Sequence, residues 1–192
     1  MIVGVLALQG GVSEHIAMLE SLGVTARPVR RPDDLVGLDG LVLPGGESGV
    51  IDRLTRLFGL RAPLQEAIAS GLPVLGTCAG LILLADRILG AAPGQQTLGG
   101  LDVTVLRNAF GSQRDSFDTV VDVAGVGAIE ASFIRAPIVT AVGTNAQVIA
   151  QLPDGRIVGV RQGNLIGVSF HPEVSGDSRL HSAFVQTIAA RV

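Results

Sequence analysis

Cys78 is the only cysteine among the 192 residues, and it stands in the middle of Gly76-Thr77-Cys78-Ala79-Gly80. The segment before it, Pro73 to Leu75, is short, apolar and β-prone, whereas Leu81-Ile82-Leu83-Leu84-Ala85 continues as an apolar helical run. Strand and helix periods therefore meet at Thr77-Cys78-Ala79. Gly-x-Cys-x-Gly has the mechanics of a nucleophile elbow, in which the glycines let strand and helix pack closely around a strained turn that presents the middle side chain. A thiol there sits at a helix N-terminus, where the macrodipole favours the thiolate. A lone cysteine in an apolar chain is more often inert core, so the elbow needs a base before it suggests chemistry. His171-Pro172-Glu173 supplies one. Residues two apart in an extended segment project to the same side, so Glu173 can orient the His171 imidazole toward a thiol. Cys78, His171 and Glu173 then form a triad for attack on a carbonyl, with His171 carrying the proton to the leaving amine. The backbone N–H of Ala79, with that of a glycine in the Gly45-Gly46 turn, can receive the oxyanion.

The elements that must position these groups alternate through the first half of the chain. Ile2 to Leu8 is a continuous apolar run ending in Gln9-Gly10-Gly11, and Ser13 is expected to cap a helix with Ile16, Leu19 and Leu22 on one face. Strands follow around Thr25 to Val29 and at Leu41 to Leu43, then the turn Pro44-Gly45-Gly46-Glu47-Ser48. One helix is expected from Val50 to Ala69, closed by Gly71. This alternation predicts a doubly wound parallel sheet. The second half reads differently: Val103 to Leu106, Thr119 to Asp122 and Ile138 to Val142 are strand-like without comparable helices between them, which predicts an antiparallel extension. Pro153-Asp154-Gly155 and Gln162-Gly163-Asn164 mark hairpin turns, and Arg179 to Val192 is an amphipathic helix with Leu180, Phe184 and Ile188 inward. The expected architecture is α/β, a flavodoxin-like three-layer α/β/α sandwich with a mostly parallel central sheet and an antiparallel extension in the C-terminal half. Residues 1–192 are expected to form a single domain. In such a sheet, ligands bind beyond the carboxyl ends of the strands, where Gln9-Gly10, Gly45 to Ser48 and Thr77 to Ala79 all fall.

Composition narrows the function classes. Hydrophobic residues make up 47% against 16% charged, with six Phe and neither Trp nor Tyr, so the core must be built from Val, Leu, Ile and Ala. A net charge of -3 without a basic cluster argues against nucleic acid as a partner. The run Ile2 to Leu8 is too short to span a bilayer and has no basic segment before it, so it reads as a strand rather than a signal or anchor, and no membrane partner is expected. A single cysteine excludes an intrachain disulfide and suits a cytoplasmic location. His15 and His181 fall on expected helices and read as surface or core-edge histidines. No metal site is visible, since neither has a cysteine or acidic ligand set nearby.

Several blocks together resemble the class I glutamine amidotransferases, and within them the glutaminase subunits of pyridoxal 5'-phosphate synthases. The elbow and Ser169-Phe170-His171-Pro172-Glu173 are similar to the wider class. Leu8-Gln9-Gly10, Gly45-Gly46-Glu47-Ser48, Arg107-Asn108-Ala109-Phe110-Gly111 and Phe133-Ile134-Arg135-Ala136-Pro137 resemble the narrower group. The resemblance spans nearly the whole chain. It implies that Cys78 is the nucleophile, His171 the general acid and base, Glu173 its orienting carboxylate, and that glutamine is hydrolysed through a γ-glutamyl thioester. It further implies that Gly46, Glu47, Ser48, Arg107, Ile134 and Arg135 bind glutamine and that Gly46 and Ala79 supply the oxyanion hole. The implied partner is a synthase subunit, a (β/α)8 barrel that joins the ammonia to ribose 5-phosphate and glyceraldehyde 3-phosphate. Twelve glutaminases would dock on a twelve-membered core, with Gln9 and Gly10 in a loop organised by docking. No cofactor is implied for this chain.

Two positions depart from the group: Gly11 stands where it usually has Asp, and Gly49-Val50 where it usually has Thr-Thr. A glutaminase serving another synthase, such as the one for imidazole glycerol phosphate, would share the triad. A cysteine-elbow redox sensor or binding module would have no use for His171 and Glu173.

Overall fold

The computed structural model describes residues 1–110 and 116–191. Gly111 of the Arg107 block and Val192 lie outside the described residues. The chain runs β1 (Ile2–Leu6), α1 (Val12–Ser21), β2 (Thr25–Val29), β3 (Gly40–Leu43), α2 (Ser48–Leu57), α3 (Arg61–Ala69), β4 (Val74–Thr77), α4 (Ala79–Leu84), β5 (Ala85–Leu89) and β6 (Leu101–Leu106). It continues with β7 (Phe117–Val123), β8 (Gly127–Phe133), β9 (Ile138–Val142), β10 (Gln147–Gln151), β11 (Ile157–Gln162), β12 (Leu165–Val168), α5 (Pro172–Ser175) and α6 (Arg179–Ala189).

Five strands form a parallel block in the order β2-β1-β3-β4-β12, and β11, β10, β7 and β8 extend it with antiparallel pairing. The expected sandwich with its antiparallel extension is the observed architecture. Both faces of the parallel block are covered, and the pleat shows it: Leu41 and Leu43 of β3 enter the core under α2, α3 and α4, while Val42 between them enters the core under α1 and α6. Without tryptophan or tyrosine, close packing falls mainly to aliphatic side chains, with one exception. Phe110, Phe117, Phe133 and Phe170 form a ring cluster with centroids 4.9 to 5.6 Å apart. Three of these rings sit within three residues of Arg107, Ile134 and His171, so one small cluster anchors three separate stretches of the site.

Local departures from the expected elements have local causes. Ser13 does not cap α1; the helix begins at Val12 behind Gly11, and the Ser13 hydroxyl donates to Glu14 instead. The helix expected from Val50 to Ala69 is two helices, broken at Phe58-Gly59-Leu60 where Gly59 takes a positive φ of 69°. Two strands carry no strong sequence signal. β5 begins directly where α4 ends and pairs with β6, and β8 returns along β7 through Ala124-Gly125-Val126.

Candidate active site

β4 and β12 are parallel neighbours with Thr77 opposite Val168, and the Cys78 N–H donates to the Val168 carbonyl at 2.8 Å. Their carboxyl ends therefore point the same way, and the residues that follow them share one edge of the sheet. Cys78 is the turn residue, with φ 48° and ψ -100°, and it is buried to 6% exposure. The elbow depends on close approach: a Cβ on Gly80 would run into the Leu43 carbonyl. The helix behind the thiol, α4, spans only Ala79–Leu84, so its dipole is short, and His171, which interacts with the thiol, is a nearby group able to carry a positive charge.

His171 follows β12, and its backbone N–H donates to the Ser132 carbonyl of β8 at 2.9 Å. Its Nδ1 lies 2.7 Å from Glu173 Oε1. The pairing was expected from an extended segment, but the route differs: His171 caps the short helix α5 and Glu173 lies in its first turn. The proline at the first helical position favours this turn over extension. Burial opposes a charge on His171, but its interactions with Cys78 and Glu173 outweigh it and raise the imidazole to about 10. Burial likewise opposes the charge of Glu173, yet the His171 bond and the His15 and His171 rings hold its carboxyl below the usual range. An imidazolium between a sulfur and a carboxylate is the resting form this geometry favours.

The wall facing the triad is built from loops. Glu47 Oε1 accepts from Arg107 Nη2 at 2.6 Å, and Glu47 Oε2 accepts the Val50 N–H at the start of α2. Gln9 Oε1 accepts the Glu47 N–H at 2.7 Å, and the Gly11 N–H donates to the Gly45 carbonyl at 3.1 Å, so the Gln9-Gly10 loop is bonded to the Gly45–Ser48 turn on both sides. The Gly45 N–H is committed to Thr77 Oγ1 at 3.1 Å, so of the two turn glycines it is Gly46 whose N–H is not taken by that bond. Gly45 also has no room for a side chain, because a Cβ there would run into the His171 ring.

Gln9, Gly10, Gly46, Glu47, Ser48, Cys78, Arg107, Ile134, Arg135, His171 and Glu173 all line one cavity of about 370 Å³. Ala79, expected beside them, contributes no lining side chain and is fully buried, as a backbone donor can be. Among the described residues, the non-glycine positions with positive φ are Cys78, Asn108 and Arg135, and each of them lines this cavity. Such strain persists only where surrounding structure enforces it, and it gathers at functional sites.

Sequence reasoning missed three participants. Gln95 accepts from Arg107 Nη1 at 2.7 Å and donates to Ser48 Oγ at 2.9 Å, which ties the arginine to the glycine turn. Its loop is held in turn by buried Asp52, which accepts the Gln96 N–H and pairs with Arg61. No motif marks Gln95, since its loop has no periodic pattern. His15 and His181, expected at the surface or the core edge, are both fully buried behind the triad and bonded to each other at 2.8 Å. The two departing glycines have local meaning. A Cβ at Gly11 would stand 3.5 Å from Glu173 Oε1, so an aspartate there would bring a like charge toward the triad. A Cβ at Gly49 would crowd Glu47 Oε2 at 3.3 Å.

Comparison with known proteins agrees with this geometry. Residues 5–190 match the profile described as the SNO glutamine amidotransferase family. The chain is 60% identical to "Pyridoxal 5'-phosphate synthase subunit PdxT" of Corynebacterium glutamicum strain R, over 100% of this chain and 98% of that protein. It is 57% identical to the protein of the same name from Cutibacterium acnes, over 100% and 98% of the two chains. A solved crystal structure of a glutamine amidotransferase superposes with a TM-score of 0.92 at 44% identity, covering 98% of this chain and 100% of that one.

Proposed function

Because this chain belongs to the SNO glutamine amidotransferase family, we propose that it is the glutaminase subunit of a pyridoxal 5'-phosphate synthase, releasing ammonia from L-glutamine for a synthase partner. The observation that carries the chemistry is the parallel β4–β12 pair, which sets Cys78 at the end of one strand and the His171–Glu173 pair, bonded at 2.7 Å, beyond the end of the next.

On this reading the Cys78 sulfur attacks the γ-carboxamide carbon, and the oxyanion that forms is met by the N–H groups of Gly46 and Ala79. His171 gives its proton to the amide nitrogen, ammonia leaves, and a γ-glutamyl thioester remains. His171, now neutral, takes a proton from water as the water attacks the thioester, and glutamate departs. Glu173 keeps the imidazole facing sulfur throughout. Arg107 can present its fork to the α-carboxylate of glutamine, and Glu47 can meet the α-ammonium, in place of their present pairing with each other. Ser48, Ile134 and Arg135 complete the pocket.

Ammonia is protonated in water, so its transfer calls for a docked partner. We assign that role to a (β/α)8-barrel synthase subunit in a complex of twelve and twelve, in the cytoplasm, with residues 1–192 acting as a single glutaminase domain. The bonds from the Gln9–Gly11 loop to Gly45 and Glu47 support a docking switch, because whatever moves that loop moves the glutamine-binding turn. Full-length similarity to proteins named for pyridoxal 5'-phosphate synthase disfavours a subunit of another synthase. Glutamate release should be measured for the chain alone and with a pyridoxal 5'-phosphate synthase barrel subunit, in the native form and as Cys78→Ala and His171→Ala. Activity that rises with the barrel and disappears in both variants is expected. Activity indifferent to the barrel would reassign the partner, and no release in either condition would overturn the glutaminase reading.

A further inference from the structure

Behind the triad, on the side away from the cavity, lies a buried group of polar side chains that the chemistry above does not use. His15 of α1 is fully buried, with Nδ1 2.8 Å from His181 Nε2 of α6, and Nε2 3.1 Å from Thr77 Oγ1 and 3.5 Å from Glu173 Oε1. That carboxylate oxygen is the same one that His171 Nδ1 contacts. Glu173 Oε2 and His181 Nδ1 are buried without a hydrogen-bond partner among the described residues.

These contacts select a tautomer. If the His15 proton were on Nδ1, its Nε2 lone pair could accept from the Thr77 hydroxyl but would also face the Glu173 carboxylate, and His181 would keep an unsatisfied buried N–H at Nδ1. With the proton on Nε2, an N–H faces both Thr77 Oγ1 and Glu173, His181 Nε2–H donates to His15 Nδ1, and the atom left over on His181 is only an acceptor. The second arrangement has no lone pair against an anion. Burial, foremost, keeps both rings neutral: it lowers His15 against the opposing Glu173 and Glu14 charges, and with His15 beside it His181 falls to about 3. His15 therefore acts on Glu173 as a fixed N–H dipole and not as a second imidazolium competing with His171. The 3.1 Å bond to Thr77 is the stronger of its two contacts, and Thr77 Oγ1 also accepts the Gly45 N–H. One ring thus touches the triad carboxylate and the residue that holds the glycine turn.

Resting on the glutaminase reading, we propose that His15 is a positioning residue: its Nε2–H holds the Glu173 carboxylate toward His171 and, through Thr77, keeps that carboxylate in register with the Gly45–Gly46 turn. His181 is the residue that fixes the His15 tautomer.

The discriminating variants are His15→Gln and His15→Asn. Both are polar amides, but the glutamine nitrogen reaches the place of Nε2 whereas the asparagine nitrogen falls at Nδ1. Kinetics with the barrel partner present should show His15→Gln within about threefold of the native kcat and His15→Asn lower by about 10-fold to 100-fold at little-changed KM, the scale of a small misplacement of a catalytic group. A second readout does not depend on turnover: the pH profile of Cys78 alkylation by iodoacetamide should stay native in His15→Gln and shift in His15→Asn. His15→Asn should also add nothing to Glu173→Gln, since both break the same link. Equal kcat and equal alkylation profiles in the two amides would overturn the proposal, as would a loss in His15→Asn that follows its melting temperature and adds in full to Glu173→Gln. Native protein that releases no glutamate, with a native alkylation difference between the amides, would sink the glutaminase reading while leaving the positioning role.

Discussion

Cys78, His171 and Glu173 stand beyond the carboxyl ends of two hydrogen-bonded parallel strands, whereas Glu47, Arg107 and Arg135 stand on three loops drawn from different parts of the sheet. In the first group Cys78 and Glu173 are buried and His171 is partly buried, and the group is held largely by backbone: Cys78 bonds to Val168 and His171 to Ser132 through main-chain N–H groups. In the second, side chains hold Arg107 between Glu47 and Gln95 and Gln95 on Ser48, and the Gln9 side chain accepts the Glu47 main-chain N–H. Backbone placement suits atoms that must keep one geometry through several proton transfers. Mutual side-chain bridging suits a surface whose pairs have to open and re-form around a charged substrate, as the proposed glutamine site requires. The two walls should then fail differently when damaged.

The largest contrast is expected from Glu173→Gln, which keeps the shape of the carboxylate and removes its charge. The kcat should fall by up to roughly 10⁴-fold, the scale of losing the orienting carboxylate in other triads, with KM nearly native in steady-state glutamate release. A rise in KM instead would mean that the triad wall also binds substrate. Next, Arg107→Ala should raise KM for glutamine by about 10-fold to 100-fold, the scale of a lost charged hydrogen bond, while kcat changes less. A kcat-only effect would erase the division between the walls. Gln95→Ala should act in the same direction but more weakly, raising KM about 3-fold to 10-fold, because Gln95 works only through Arg107, which keeps its Glu47 partner.

The smallest effect is one of stability. The His171 imidazole is raised from its ordinary 6.5 to about 10 in the fold, so the native state binds the proton more tightly than the unfolded chain does. Its stabilisation is complete below pH 6.5 and is withdrawn as pH climbs through about 10. The melting-temperature gap between native protein and His171→Ala should therefore narrow over that interval, and a gap that widens would place the proton elsewhere. Glu173, held below its ordinary range, works at the other end: its contribution is present at neutral pH and lost in acid.

Much of this was legible in the chain. Gly76-Thr77-Cys78-Ala79-Gly80 reads as an elbow because only glycine permits the contact that Gly80 makes with Leu43, and that requirement is written at fixed spacing. The strand before it and the helix after it are short but unbroken in period. His171-Pro172-Glu173 was correctly paired for an incorrect reason, since two residues apart on a strand and two residues apart across a helix cap both allow contact, and spacing does not distinguish them. β8 was not visible because Gly127 to Phe133 alternates imperfectly, and its pairing with β7 is a long-range gain that no local pattern records. The break at Gly59 was marked by Gly59 itself and by Pro63 in the first turn of α3, but the apolar period runs on across it.

Periodicity and motif spacing determined by themselves the alternating half of the fold, the elbow, and the types of residue at the strand ends, because each rests on neighbours within a few positions. Tertiary structure decided what lies between distant segments: which strand adjoins β4, how Gln95 meets Arg107, and that His15 and His181 are buried together behind Glu173. A histidine on a helix has the same local pattern whether it faces water or a triad. Only the packing of α1 and α6 against the sheet determines which, because burial and partner are properties of the assembled layers and not of the helix that carries the residue.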